Sequence, residues 1–166
     1  MSNVFVPNRQ SIRLPGYDYT SQGIHYVTMC TRDHLNLFGI VKNEEMQLSP
    51  VGEMINLAWR GITMYAPRIS LDEFVVMPDH LHAIIVIGPD LDGGLNHDFG
   101  QGRCPAPTAA ISLPSIVRRF KSWTTHQYRK NIWQRNYYEH IVSDENDLNR
   151  IREYIKDNPK NWEKEK

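Results

Sequence analysis

VVMPDHLHAIIVIG, residues Val75–Gly88, is an apolar run broken by a turn and marked by two histidines. Pro78-Asp79 supplies the turn, and the residues on either side have the composition of a strand hairpin. If Leu81 to Ile87 is extended, alternate side chains go to opposite faces. His80 and His82 then share one face, and Leu81, Ala83 and Ile85 take the other. Two neutral imidazoles on one face can each give a ring nitrogen to a single divalent metal. A pair alone supplies too few ligands for a site. Without a third, it reads as surface or satisfied core histidines.

Working outward, Ile69–Met77 is the strand that pairs with the histidine-bearing run, and GIHYVTMCT, Gly23–Thr31, is an earlier one. Between them Ser49 caps a helix opened by Pro50. Met54, Leu57, Ala58 and Ile62 give that helix its apolar spacing as far as about Tyr65. Downstream, Gly88 to Pro107 holds five glycines and three prolines. It reads as a flexible insertion spanning 88–112. A second helix runs from Ser112 to about Lys130. Ile132–Val142 is a loop leading into a fourth strand. Ser143 caps a last helix with an acidic first turn. Leu148, Ile151 and Ile155 form its apolar stripe, and Pro159 stops it. The order strand, helix, strand, strand, helix, strand is that of a ferredoxin-like α+β fold. Its antiparallel sheet carries helices on one face, and a C-terminal helix is added. The expected organisation is one domain over 1–166, with 1–15 as an N-terminal extension.

The 166 residues are 40% apolar, enough for an ordinary core. No apolar run is long enough to span a membrane, and the N-terminus lacks the apolar block of a secretory signal. Cys30 and Cys104 lie far apart and suggest neither a disulfide framework nor a zinc site. The expected setting is the reduced cytoplasm. Lysine plus arginine balances aspartate plus glutamate at 19 each, but the charge is unevenly distributed. From Leu113 to Arg135 there are six basic residues and no acidic one: Arg118, Arg119, Lys121, Arg129, Lys130 and Arg135. Phe120, Trp123, Tyr128 and Trp133 are interleaved with them. Cations meet phosphates, and flat rings stack on unpaired bases. The same stretch also suits an amphipathic helix with a solvated face and an apolar one.

On the last helix Tyr154 and Asn158 stand one turn apart on one face, beside the apolar stripe. A tyrosine can serve as a covalent nucleophile, and an amide oxygen suits a hard divalent cation. In isolation the pair also fits a packed tyrosine and an ordinary helix end.

Three blocks in this order, VVMPDHLHAIIVI, WQRNYYEHIV and RIREYIKDNP, resemble the REP-associated tyrosine transposases. These belong to the single-tyrosine superfamily with a His-hydrophobic-His motif. The resemblance runs from about Gly16 to Pro159. It implies that His80 and His82 are the metal-binding pair, Asn158 the polar third ligand and Tyr154 the nucleophile. Trp133, Gln134 and His140 fall in a family block. Trp133 and His140, with Arg118, Arg119, Lys121, Arg129 and Lys130, are the expected DNA contacts. The implied activity is cutting and rejoining of single-stranded, hairpin-flanked DNA through a 5′-phosphotyrosine, with Mg²⁺ or Mn²⁺ as cofactor. Either a monomer or a homodimer is compatible with it. A non-catalytic single-strand binding module and a hydrolytic metal nuclease stay open as alternatives.

Overall fold

The computed structural model describes residues 18, 20–89 and 112–162. The expected N-terminal extension, most of the expected 88–112 insertion and Cys104 lie outside them. In chain order the elements are β1 (Gly23–Cys30), β2 (Gly39–Lys42), β3 (Glu45–Leu48), α1 (Pro50–Arg60), α2 (Ile62–Tyr65), β4 (Ile69–Val76), β5 (His80–Ile87), α3 (Leu113–Tyr128), β6 (Tyr138–Ile141) and α4 (Glu145–Asn161). Strands β4, β5, β1 and β6 form a four-stranded antiparallel sheet in that order. Leaving out the β2–β3 pair, this is the ferredoxin-like arrangement expected from the element order.

The alternation read from β5 holds. Leu81, Ala83, Ile85 and Ile87 join Val27 and Met29 of β1 in the larger core, against Trp59 of α1 and Phe120 of α3. Ile84 faces the other way. It meets Tyr26 and the α4 stripe of Leu148, Ile151 and Ile155 in a second, smaller cluster. The sheet is therefore covered by α1 and α3 on one side and by α4 on the other.

The local signals were realised unevenly. Ser49 caps α1 by accepting from the Gly52 amide at 3.1 Å, and Pro50 begins the helix. The helix expected to reach Tyr65 is interrupted at Gly61, which ends α1 and precedes the single turn of α2; glycine weakens helix continuity. The β2–β3 hairpin was not anticipated. Its turn residues, Asn43 and Glu44, both have positive φ, as a two-residue primed turn requires. The cap of α4 is Asp144 rather than Ser143, because the Asp144 carboxylate accepts from the Asp147 amide at 2.9 Å. Pro159 does not stop α4, which continues to Asn161. So close to the helix end, a proline removes only one backbone donor.

Two sets of polar contacts join α4 to the sheet. The β4–β5 register shifts between Leu71 and Phe74, a bulge that presents Asp72 and Glu73 to α4. Arg152 pairs with Asp72, and Lys156 Nζ lies 3.0 Å from Glu73. At the other end, His140 Nε2 of β6 donates to the Asp147 carboxylate at 2.7 Å, and Arg150 donates to it at 2.6 Å. These bonds, His140 first, hold the Asp147 carboxyl down at about 2.

Two predictions follow from this packing. A Cβ on Gly52 would lie 2.0 Å from the Phe38 carbonyl oxygen, backbone that cannot swing aside. Gly52→Ala should therefore lower stability by about 1–3 kcal/mol through overpacking, measurable by urea denaturation. Between pH 3.8 and about 2 the folded Asp147 stays ionised while the unfolded chain takes up a proton. The stabilisation is full above that window and is lost as pH falls through it. The difference in melting temperature between the parent and Asp147→Asn should thus be clear at pH 6 and shrink towards pH 2. An equal difference at both ends would contradict the assignment.

Candidate active site

His80 and His82 project from β5 towards α4, as alternation requires, with ring centroids 4.4 Å apart. Each imidazole is oriented through its Nδ1. His80 Nδ1 lies 2.6 Å from Asp79, and the same carboxylate reaches His34 Nδ1 at 3.3 Å. His82 Nδ1 lies 2.7 Å from the Tyr26 hydroxyl and 2.8 Å from that of Thr28. Thr28 is the cross-strand partner of His82 in the β1–β5 register. Burial, followed by the neighbouring His80, pushes His82 down to about 3, so its ring is neutral at ordinary pH. Burial also holds the Tyr26 phenol protonated, well above its usual range.

This leaves the Nε2 atoms. His80 Nε2 is buried and has no hydrogen-bond partner among the described residues. A buried nitrogen of this kind is costly unless something occupies it. A carboxylate on Nδ1–H with a bare Nε2 is the usual second-shell pattern of a metal-binding histidine. Asn158 is 3% exposed. Two imidazole nitrogens and an amide oxygen suit a divalent cation that keeps further positions for water or phosphate. On these observations the donor set fits such an ion. Among the described residues there is no group of three or more histidine, cysteine, aspartate or glutamate side chains that could hold one.

Tyr154 sits on α4 with its ring centroid 5.3 Å from that of His82. It is 44% exposed, and it lines a cavity of about 350 Å³ with Tyr26, Tyr138, His140 and Arg150. The packed stripe fixes the helix, while Tyr154 stands to one side of it, partly exposed. Trp162 lies against His80 at 5.7 Å between ring centroids.

The expected site residues thus separate into two groups. His80, His82 and Tyr154 come together, Asn158 follows one turn along α4, and His140 lines the tyrosine cavity. The basic residues of α3 belong to the opposite layer. Arg118 and Lys121 line a separate cavity. Arg119 stacks on Tyr65, its guanidinium carbon 4.0 Å from the ring centroid. Arg129 and Lys130 are exposed at the end of α3. Lys121 donates to the carbonyls of Gln134 and Asn136 at 2.9 and 2.8 Å, so it also braces the approach to β6. Burial lowers it to about 8. Trp133 corrects the expectation of a DNA contact. It is 3% exposed, packs on Phe38 and Phe120, and donates its indole N–H to Thr124 at 2.8 Å. Both its ring faces and its donor serve the core.

Sequence reasoning missed Tyr26, Thr28, Asp79, Arg150 and Trp162. Asp79 had a signal, a carboxylate immediately before a candidate ligand. Tyr26 and Thr28 had only their shared strand face. Arg150 and Trp162 had none.

No family model matches the chain. A protein of Haemophilus influenzae (strain ATCC 51907 / DSM 11121 / KW20 / Rd), described only as an uncharacterized protein, is 41% identical over 170 residues, covering 98% of this chain and 94% of that protein. Among solved structures, a REP-associated tyrosine transposase bound to a REP hairpin matches with a TM-score of 0.59 at 22% identity, covering 90% of this chain and 74% of that one. The sequence match places the chain in one family with the Haemophilus protein, and the structural match shows that the chain has the fold of that REP-associated tyrosine transposase.

Proposed function

We propose that the chain is a metal-dependent endonuclease and strand transferase for single-stranded DNA, working through a 5′-phosphotyrosine on Tyr154. The observation that carries this reading is the bare, buried Nε2 of His80, oriented by Asp79, beside a His82 whose ring is in contact range of Tyr154. A hydroxyl nucleophile next to a pair of available imidazole nitrogens suits phosphodiester chemistry better than binding alone.

A divalent cation, Mg²⁺ or Mn²⁺, held by His80 and His82 with Asn158, would neutralise charge on the scissile phosphate. The chain's own residues do the rest. Asp79 keeps the His80 proton on Nδ1, and the Tyr26 and Thr28 hydroxyls hold the His82 ring in place. The Tyr154 oxygen attacks phosphorus and loses its proton to solvent. The phosphorus–O3′ bond breaks, and O3′ leaves as a hydroxyl after taking up a proton. Attack by a 3′-hydroxyl on the phosphotyrosine reverses these steps and restores the phenol. The ester keeps the energy of the broken bond, so no nucleotide triphosphate is consumed. His80, His82 and Tyr154 come together within a single chain, an arrangement compatible with a monomer or a homodimer. The hairpin bound by the structural neighbour supports a hairpin-flanked DNA partner here.

The test combines a labelled hairpin with a single-stranded flank, Mn²⁺ and a denaturing gel. The parent should give a covalent protein–DNA band that maps to the peptide containing Tyr154. Tyr154→Phe should abolish the band and lower cleavage by about 10⁴-fold or more, the scale of removing a covalent nucleophile, with binding unchanged. Robust cleavage by Tyr154→Phe with free 5′-phosphate ends would establish water as the attacker instead. His80→Ala should abolish cleavage while leaving most single-strand affinity, because that affinity comes mainly from phosphate contacts elsewhere. Cleavage at the parental rate by His80→Ala would remove the metal assignment.

A further inference from the structure

The cavity on the α3 side has no role in the chemistry above. It measures about 590 Å³, and Arg118, Lys121, Arg135 and Tyr137 are among its walls. Arg118 and Arg135 are exposed, and neither forms an ion pair among the described residues. Neighbouring cations differ in this respect. Arg150 and Arg152 are paired with carboxylates, and Arg119 is spent on Tyr65. Three cations around one cavity, with no carboxylate among the described residues of its lining, repel one another until an anion arrives. Two planar guanidinium groups suit the oxygens of a phosphate.

The position of this cavity indicates which anion. β6 is one of the two edge strands of the sheet, β4 being the other. Tyr137 lines the α3-side cavity, and Tyr138, the next residue, lines the tyrosine cavity on the α4 side. Consecutive residues of an extended chain face opposite ways. The two cavities therefore flank the same sheet edge, one with Tyr137 in its wall and the other with Tyr26, Tyr138 and Tyr154. Tyr138 is 57% exposed, which leaves it accessible to an unpaired base.

We infer that the Arg118–Lys121–Arg135 cavity holds a backbone phosphate of the same DNA strand that meets Tyr154, so that the strand turns around the β6 edge between the two cavities. This rests on the single-strand reading above. A duplex, stiff over about 150 base pairs, cannot make such a turn around one strand of protein. The crossing segment is therefore unpaired, and the cavity selects substrates whose single-stranded flank is long enough to span the edge.

The experiment uses the full chain and fluorescein-labelled hairpins whose single-stranded flank grows one nucleotide at a time. Anisotropy titrations at several salt concentrations compare the parent with Arg118→Gln/Arg135→Gln. With a long flank, the double variant should lose about 0.7 from the log–log salt slope, the value for one single-strand phosphate contact. The loss should appear only beyond a threshold flank length and be absent for a blunt hairpin. A single uncharged methylphosphonate linkage at one flank position should reproduce part of the loss in the parent and add nothing in the variant. An unchanged slope, or an equal loss on the blunt hairpin, would overturn the strand path. The adduct gel separates this inference from the one it rests on. An adduct with an unchanged slope removes the strand path alone. A flank-dependent slope change with no adduct on the parent removes the Tyr154 chemistry and leaves the path standing.

Discussion

Along β5, neighbouring side chains lead to different layers of the molecule. Leu81, Ala83 and Ile85 are fully buried against α1 and α3, while His82 and Ile84 face α4. A slip of one residue in the pairing with β1 would send the imidazoles into the larger core and expose the aliphatic set. The Thr28–His82 and Cys30–His80 partners fix the register. They also determine which hydroxyl reaches which ring nitrogen. The packing that stabilises the sheet and the orientation of the candidate ligands are thus one constraint.

Orientation at this site is mostly a matter of where protons sit. An imidazole offers a lone pair from only one nitrogen at a time. Asp79 engages one nitrogen of His80, and two hydroxyls from β1 engage one nitrogen of His82. In His80 the other nitrogen is buried without a hydrogen-bond partner among the described residues. Asp79 is also tied to His34, which meets Gln134 at 3.0 Å. The carboxylate is thereby held by the segment that leads into β6.

Much of this architecture was legible in the sequence because period-2 and period-3.6 patterns survive tertiary packing. The β5 alternation, the α4 stripe and the Ser49-Pro50 start are all strong local signals. The β2–β3 hairpin escaped notice because its strands are four residues long and its turn lacks a glycine. Trp133 was misassigned because cations surround it in sequence, whereas in space it lies under Phe38 and Phe120. The basic stretch is real, but the sequence could not show that the sheet separates α3 from Tyr154. That separation arises from handedness and strand order, neither of which leaves a local trace. The hydroxyl support of His82 is a cross-strand contact between residues more than fifty positions apart, beyond any local reading.

The two layers are unequally secured. The α1/α3 side is anchored by Trp59, Phe120, Phe38 and Trp133, whereas α4 rests on three aliphatic residues with Tyr26 and Ile84. Its ion pairs to the β4 bulge are partly solvated, and such pairs add little to stability. Local opening therefore requires less free energy at α4 than in the main core. When α4 lifts, Tyr154 and Asn158 leave together while both histidines stay on the sheet. On warming, amide exchange should accelerate along α4 before it does along β5, and the nucleophile should be lost while the sheet and the larger core remain folded.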